Sequence, residues 1–343
     1  MNVCFIMYPW ERVHAAHDST LRLVHECAAR DHRVAITTPG SLTIRDSVAH
    51  AFCDVVQNDR ISSNVPTFYR QAEFRRSKLP LSGFDVIFMR ANPPLDSIAL
   101  NFLDQVRTDT LIINDIDGLR VASNKLYTAS FNDPDSEFIP VTHVSKNRDY
   151  LERVILESDQ ERMILKPLNS YGGRGVIVLE KSAKTSLRSL LDFYIGEGQG
   201  NYVILQEYVA GAEDGDVRIL MLNGEPLGAM RRVPAAGEAR SNIHAGGTEV
   251  KHTLTRQEKA LCKAIGPKLV RDGLYLAGLD VIGGKLIEVN VLSPGGITRI
   301  NKLNRTRLQR PIIDFVETVV QHQERLVARK HELRKVIEDA HSS

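Results

Sequence analysis

The segment 280–296, DVIGGKLIEVNVLSPGG, can be little other than a hairpin with two unlike faces. Val281, Ile287, Val289 and Val291 alternate with Asp280, Glu288 and Asn290, which predicts one dry face and one oxygen-rich face. The register decides whether the two acids can work together. A two-residue Gly283-Gly284 turn would place Asp280 and Glu288 on opposite faces, since side chains alternate along each strand. A three-residue loop over 283–285 with a glycine bulge sets them directly across from each other, so the longer loop is expected. Carboxylate and amide oxygens suit a hard cation such as Mg²⁺, which also keeps phosphate ligands. An ordinary edge hairpin with a solvated face would show the same alternation.

The chain around this hairpin has 343 residues, enough for two or three lobes with a large core. Its 44 basic and 42 acidic residues leave a net charge of +2, which selects no charged partner. No basic tract is dense enough for a nucleic-acid groove, and no run of about eighteen apolar residues suggests a membrane span. Four scattered cysteines (Cys4, Cys27, Cys53, Cys262) form no CxxC pair, which suits a reducing cytosol. The expectation is a cytoplasmic α/β protein with neither nucleic-acid nor membrane partners.

Residues 2–7 read as an apolar strand, and Asp18 or Ser19 as the cap of a helix carrying Leu21, Val24, Cys27 and Ala28 inward. A return strand over 34–37, a near-continuous apolar run over 84–89 and another strand over 111–114 predict a parallel, doubly wound opening lobe. Arg90 stands at the carboxyl end of the 84–89 run, where open α/β sheets hold their ligands. Residues 115–118 read as a turn. Beyond about residue 120 the texture changes to short antiparallel strands over 163–166, 175–179, 203–206, 217–222 and 226–233, the last two joined by Asn223-Gly224. Thr255 and Glu258 predict a capping box for a helix with Leu261, Ala264 and Ile265 inward and a stop at Gly273. A charged helix from about Pro311 ends the chain.

Several polar segments could carry chemistry. Lys166 ends a strand and precedes the glycine-rich loop Gly172, Gly173, Arg174, Gly175, in which backbone N–H groups could approach phosphate; a glycine-rich hairpin with a surface lysine is the alternative. Gln206, Glu207, Tyr208 and Val209 leave a strand for a loop. Asp214, Asp216 and Arg218 stand opposite Arg231 and Arg232 across the next hairpin. Arginines there could serve phosphoryl oxygens or merely cover apolar surface. Arg240, Asn242 and the 245–247 AGG segment form a polar loop that could close over a ligand.

The order of these pieces resembles the ATP-grasp superfamily, and within it the bacterial glutathione synthetases. The likeness runs through FDVIFMRANPPLD (84–96), SNKL (123–126), ILKPL (164–168), DGDVRILMLNGEP (214–226), HAGG (244–247) and GLDVIGGKLIEVNVLSP (278–294). The resemblance implies an α/β chain with an N-terminal Rossmann-like pre-ATP-grasp lobe and two α+β lobes sandwiching ATP. The implied boundaries are 1–119 for the first lobe, 120–205 for the small lobe with its lid, 206–320 for the large lobe and 321–343 for a charged tail. Lys125 and Lys166 would contact phosphates, with Gly172, Gly173 and Gly175 as the lid. Gln206, Glu207, Tyr208 and Val209 would frame adenine, with Asp216 beside the nucleotide. Asp280, Glu288 and Asn290 would hold Mg²⁺ (or Mn²⁺), and Arg218 and Arg232 would serve the transferring phosphoryl group. Ser19, Arg90, Arg240, Asn242, Ser293, Gly295 and Gly296 would meet the peptide and its amine acceptor.

The implied reaction joins glycine to γ-glutamylcysteine at the expense of ATP through an acyl phosphate; a related ligase with another amine or donor is the alternative. A homo-oligomer, dimer or tetramer, is implied as well. Two departures stand out. Gly295-Gly296 follows Pro294 where the family has a hydroxyl residue and one glycine, and Asn169-Ser170-Tyr171 replaces the acidic start of the lid.

Overall fold

The computed structural model describes residues 1–57, 60–169, 174–182, 184–196, 200–234 and 247–342. The chain divides into two compact units, Met1–Ile113 with Thr306–Ser343, and Asn114–Arg305.

The first unit is built on β1 (Asn2–Ile6), β2 (Arg33–Thr37), β3 (Leu42–Arg45), β4 (Val48–Val56), β5 (Phe74–Pro80), β6 (Val86–Met89) and β7 (Leu111–Ile113). Strands β2, β1, β6 and β7 run parallel in that order, which matches the doubly wound expectation. Their runs are apolar because both faces are covered: Val3 to Met7 and Val86 to Met89 are all buried. Antiparallel strands β3, β4 and β5 extend the sheet beyond β2. Asp18 caps the helix Ser19–Ala29 by accepting the Leu21 N–H at 2.7 Å, and Leu21, Val24, Cys27 and Ala28 face inward as their spacing predicts.

The terminal helix Gln309–Ser342 belongs to this unit, whereas the sequence carries the large lobe to residue 320. Arg30 makes the difference: it pairs with Asp314 at 2.6 Å and Glu317 at 3.0 Å, while His32 meets Glu317 at 2.7 Å. Ile312, Ile313, Val316 and Val320 are buried, and residues 321–334 are exposed on every side.

The second unit holds two antiparallel sheets. The first contains β8 (Thr142–Ser145), β9 (Arg162–Pro167), β10 (Ile177–Glu180) and β11 (Val203–Glu207) in the order β10-β9-β11-β8. Leu165, Leu179, Val203 and Leu205 meet Leu151, Ile155, Leu187 and Leu191 from its helices in one core. The second contains β12 (Asp216–Leu222), β13 (Glu225–Val233), β14 (Thr248–Lys251), β15 (Leu276–Ile282) and β16 (Lys285–Asn290) in the order β14-β13-β12-β15-β16. Asn223 and Gly224 both take positive φ, 48° and 82°, as a two-residue turn between β12 and β13 requires.

Three local expectations need correction. Residues 115–118 are not a free turn, because Asp115 accepts the Asp117 N–H and caps the short helix Ile116–Val121. The helix Arg256–Arg271 has its capping box and buries Leu261 and Ile265, but Ala264 is exposed and Cys262 faces the core instead. The loop between β15 and β16 is the two-residue one. Gly283 and Gly284 have φ of 53° and 78°, and Ile282 pairs with Lys285. Asp280 still faces Glu288, because Ile287 forms a bulge that resets the alternation.

Among the described residues no helix is long and apolar enough to cross a membrane. All four cysteines are free and buried.

Candidate active site

The oxygen-rich face of β15 and β16 meets two arginines from the neighbouring strands. Arg218 on β12 stands opposite Asp280 in the register, and its Nε and Nη2 donate to the two Asp280 oxygens at 2.6 and 3.1 Å. Arg232 on β13 stands opposite Asp216 and donates to that carboxylate through Nε at 3.0 Å. Its Nη2 also reaches Asp280 Oδ1 at 2.9 Å. Asn290 donates to Asp280 Oδ2 at 3.2 Å. Burial alone would raise the Asp280 pKa; Arg218 and Arg232 outweigh it and hold the carboxyl at about 2. Burial works against the Arg232 charge too, and Asp280 and Asp216 reverse the effect, so its pKa rises. Asp216, Arg218, Arg232 and Asp280 thus form one compensated cluster of two carboxylates and two guanidiniums.

Beside this cluster stand two lysines. Lys125 begins the short helix Leu126–Ala129, and its Nζ lies 3.5 Å from Glu288 Oε1. Lys166, near the end of β9, donates to Gln206 Oε1 at 3.0 Å, and Gln206 in turn donates to Thr142 Oγ1 at 2.8 Å. Both lysines are buried, with relative exposures of 9% and 5%. Burial pushes the Lys166 pKa down to about 8; Glu288 raises it and Lys125 lowers it further. Two buried ammonium groups beside the Glu288 carboxylate provide an electrostatic setting suited to a polyanion.

The segment after β11 rests on the hairpin tip. Lys285 donates to Glu207 Oε1, and a Cβ on Gly283 would lie 2.8 Å from the Ala210 carbonyl oxygen. Tyr208 donates to Glu213 at 2.8 Å and lies under the Arg162 guanidinium, 4.0 Å from the ring centroid. Val209 is half-buried. On the other side, Arg218 Nη1 donates to the Gly295 carbonyl at 3.2 Å. Ser293 and Pro294 lead into this turn, and Gly296 caps the helix Ile297–Asn304 with φ 125°, a conformation that favours glycine. A Cβ on Gly295 would meet nothing within 4 Å.

Within the second unit the fold therefore brings together Lys125, Lys166, Gln206, Asp216, Arg218, Arg232, Asp280, Glu288, Asn290 and the Ser293 to Gly296 turn. Gly175 is described at the head of β10 with φ 69°. Gly172, Gly173, Arg240 and Asn242 lie outside the described residues.

Ser19 and Arg90 belong to the first unit and stand near each other there. Arg90 is 2% exposed and donates through Nε to Thr20 Oγ1 at 3.1 Å, while Tyr8 donates to Asp18. Burial lowers the Arg90 pKa, opposed by Tyr8 and Asp18. Burial and Asp18 raise that of Tyr8.

Sequence reasoning missed two supports. Asn114 donates to the Leu276 and Val291 carbonyls at 2.7 and 2.8 Å and accepts the Leu276 N–H at 2.7 Å, tying together the entry to β15 and the exit of β16. Thr142 holds Gln206 against Lys166. A buried asparagine after an apolar strand was the one available signal for the former.

Comparison with known proteins fits this geometry. Residues 1–120 match the family model described as prokaryotic glutathione synthetase, N-terminal domain, and residues 124–305 match prokaryotic glutathione synthetase, ATP-grasp domain. The glutathione synthetase of Thermosynechococcus vestitus is 34% identical over 92% of this chain and 99% of its own. That of Gloeobacter violaceus is 35% identical over 92% and 96%, respectively. Among solved structures, a D-cycloserine synthetase superposes with a TM-score of 0.59 at 13% identity, covering 94% of this chain and all of the other. The D-alanine-D-alanine ligase of Coxiella burnetii superposes with a TM-score of 0.59 at 12% identity, covering 97% and 99%. Fold and sequence agree over most of the chain, and the chain belongs to the prokaryotic glutathione synthetase family, with the ATP-grasp fold.

Proposed function

We propose that this protein is an ATP-dependent carboxylate–amine ligase that joins glycine to the C-terminal carboxylate of γ-glutamylcysteine, giving glutathione, ADP and phosphate. The observation that carries the reading is the pair of buried lysines facing Glu288, in a chain that matches this ligase family along nearly its whole length. Lys125 and Lys166 offer their ammonium groups to the phosphates, and Gln206 and Val209 frame the adenine with Glu207 and Tyr208. The glycine segment 172–175 is read as the lid that excludes water, and Asp216 as lying beside the nucleotide. Arg218 and Arg232 supply fixed guanidiniums for the charge spread over the phosphoryl oxygens during transfer, where positioning and electrostatics do nearly all the work.

Asp280, Glu288 and Asn290 set two carboxylates and an amide on one face, the oxygen-bearing groups that magnesium takes and manganese accepts, with Asp280 sharing its oxygens with Arg218 and Arg232 and Asn290 turning its NH₂ toward Asp280. Among the described residues no group of three or more His, Cys, Asp or Glu could hold a metal alone, so ligands beyond these two carboxylates would come from the amide, the phosphates and water. The bound cation would neutralise phosphate charge and leave the γ-phosphorus open to attack. The peptide carboxylate oxygen attacks that phosphorus and ADP leaves. Glycine's free amine then attacks the acyl carbon, the carbon–oxygen bond to phosphate breaks, and the amine loses a proton. Ser19, Arg90, Arg240, Asn242, Ser293, Gly295 and Gly296 are read as the peptide and acceptor contacts. The working form is read as a cytoplasmic homo-oligomer.

The test is phosphate release with ATP and Mg²⁺. It should require both γ-glutamylcysteine and glycine, with a product of the tripeptide's mass. Release that needs neither, or an inert glycine beside a reactive larger amine, would sink the assignment.

A further inference from the structure

Strand β16 carries Glu288 and Asn290 but is an edge strand, so every second backbone group along it lacks a neighbouring strand. A buried N–H left without an acceptor costs on the order of 1–3 kcal/mol, so that edge needs partners from elsewhere. Three groups from the segment preceding β8 provide them. The Phe138 carbonyl accepts the Leu286 N–H at 2.7 Å, Asn114 Nδ2 donates to the Val291 carbonyl at 2.8 Å, and Thr128 Oγ1 accepts the Val289 N–H at 3.2 Å. The first is held in turn by Asp133, whose carboxylate accepts the N–H groups of Phe138 and Ile139 at 2.8 and 2.7 Å.

Thr128 differs from the other two in what it joins. Val289 sits between Glu288 and Asn290, so its amide fixes the backbone from which both side chains project. Thr128 lies one helical turn beyond Lys125, in the helix Leu126–Ala129 that Lys125 begins, and is buried. The short path Lys125, Thr128 Oγ1, Val289 N–H, Glu288 therefore connects an ammonium to the carboxylate that faces it 3.5 Å away. No other side chain named above links the two through so few bonds.

We propose that Thr128 is a positioning residue of the ligase: its hydroxyl sets the spacing between Lys125 and the Glu288 and Asn290 oxygens, and thereby the divalent-cation affinity of the nucleotide site. The inference rests on the proposed function for what occupies that space. Thr128→Val keeps the shape and removes the acceptor, while Thr128→Ser keeps the hydroxyl. Groups that orient metal-facing side chains typically contribute 10- to 100-fold to metal affinity or activity, so Thr128→Val should need roughly 10-fold more Mg²⁺.

The experiment is calorimetric titration of ADP into the full-length protein across a Mg²⁺ series, with amide exchange followed in the peptide that spans Val289. Wild type and Thr128→Ser should share one Mg²⁺ dependence and one slow exchange rate; Thr128→Val should be weaker in the first and faster in the second. If the valine variant does not fold, Thr128→Ala against Thr128→Ser reads the same difference. A valine or alanine variant that melts lower yet keeps the wild-type Mg²⁺ dependence has lost only packing and overturns the proposal, as does unchanged exchange. A wild-type protein whose ADP binding ignores Mg²⁺ refutes the ligase reading instead and takes this inference with it.

Discussion

Replacing Asp280 by asparagine isolates the charge at the centre of the site, because the two side chains have nearly the same size and no cavity is opened. The wild-type carboxylate holds Arg218 through two hydrogen bonds at 2.6 and 3.1 Å and Arg232 at 2.9 Å. A carboxyl held at about 2 instead of the ordinary 3.8 has its charged form favoured by the two guanidiniums. Removing one partner of a buried ion pair costs about 3–5 kcal/mol, since the opposite charge is left buried and uncompensated. Arg232 keeps Asp216 in the variant, which argues for the lower end, about 3 kcal/mol. For a unit of this size that is a fall in Tm of roughly 6–12 °C.

Thermal unfolding of Asp280→Asn beside wild type, followed by circular dichroism at pH 7, measures it. The pH dependence has a definite sign. The folded pKa is depressed, so the contribution is complete above the ordinary carboxylate pKa and fades as pH falls through about 2. The gap between the two proteins should therefore narrow between about pH 4 and pH 2. A variant that melts within about 1 °C of wild type at pH 7, or a gap that ignores pH, would refute the claim that this carboxylate restrains both arginines.

Glu288→Gln should leave the fold intact and lower kcat by at least on the order of 10²-fold, and near-normal turnover in the folded variant would remove Glu288 from the metal site. Lys166, with its pKa pushed down to about 8, should lose its charge first in the folded protein. Nucleotide affinity should then fall as pH rises through about 8, while stability rises between that value and the ordinary lysine pKa; Lys166→Met should flatten both trends. Gly295→Ser should fold normally, since its Cβ meets open space, and should sharpen glycine over alanine by about 10-fold in kcat/KM. Gly296→Ser, forced to φ 125°, should lose about 1–3 kcal/mol in urea denaturation; equal effects at the two glycines would contradict the geometry.

The hairpin shows where sequence and structure part. That Asp280 faces Glu288 was legible, because the alternation demanded it. The device was not: Gly283-Gly284 makes the shorter turn, and the extra residue is Ile287, which nothing in its side chain marks as a bulge. Periodicity is similarly blind to a small rotation of the helix Arg256–Arg271, which exposes Ala264 and turns Cys262 inward. Asp280, Arg218 and Arg232 were each expected at the site, but their mutual pairing depends on the register of three strands far apart in sequence. Asn114 and Thr142 gain their roles only through partners more than sixty residues away, so local reading offers almost nothing to find them by. The same holds for Arg30, whose contacts bind the terminal helix to the first unit.

The four buried cysteines take on another meaning in a chain read as making one thiol from another. Exchange between a protein thiol and a small disulfide needs a thiolate that the incoming sulfur can approach in line. Cys4, Cys27, Cys53 and Cys262 are each at most 1% exposed. Burial raises the thiol pKa of Cys27 and pushes that of Cys262 up to about 12. Cys53 is drawn down by its hydrogen bond with Cys4, yet it is fully enclosed. The folded protein thus presents no accessible thiolate to attack the disulfide of its own product.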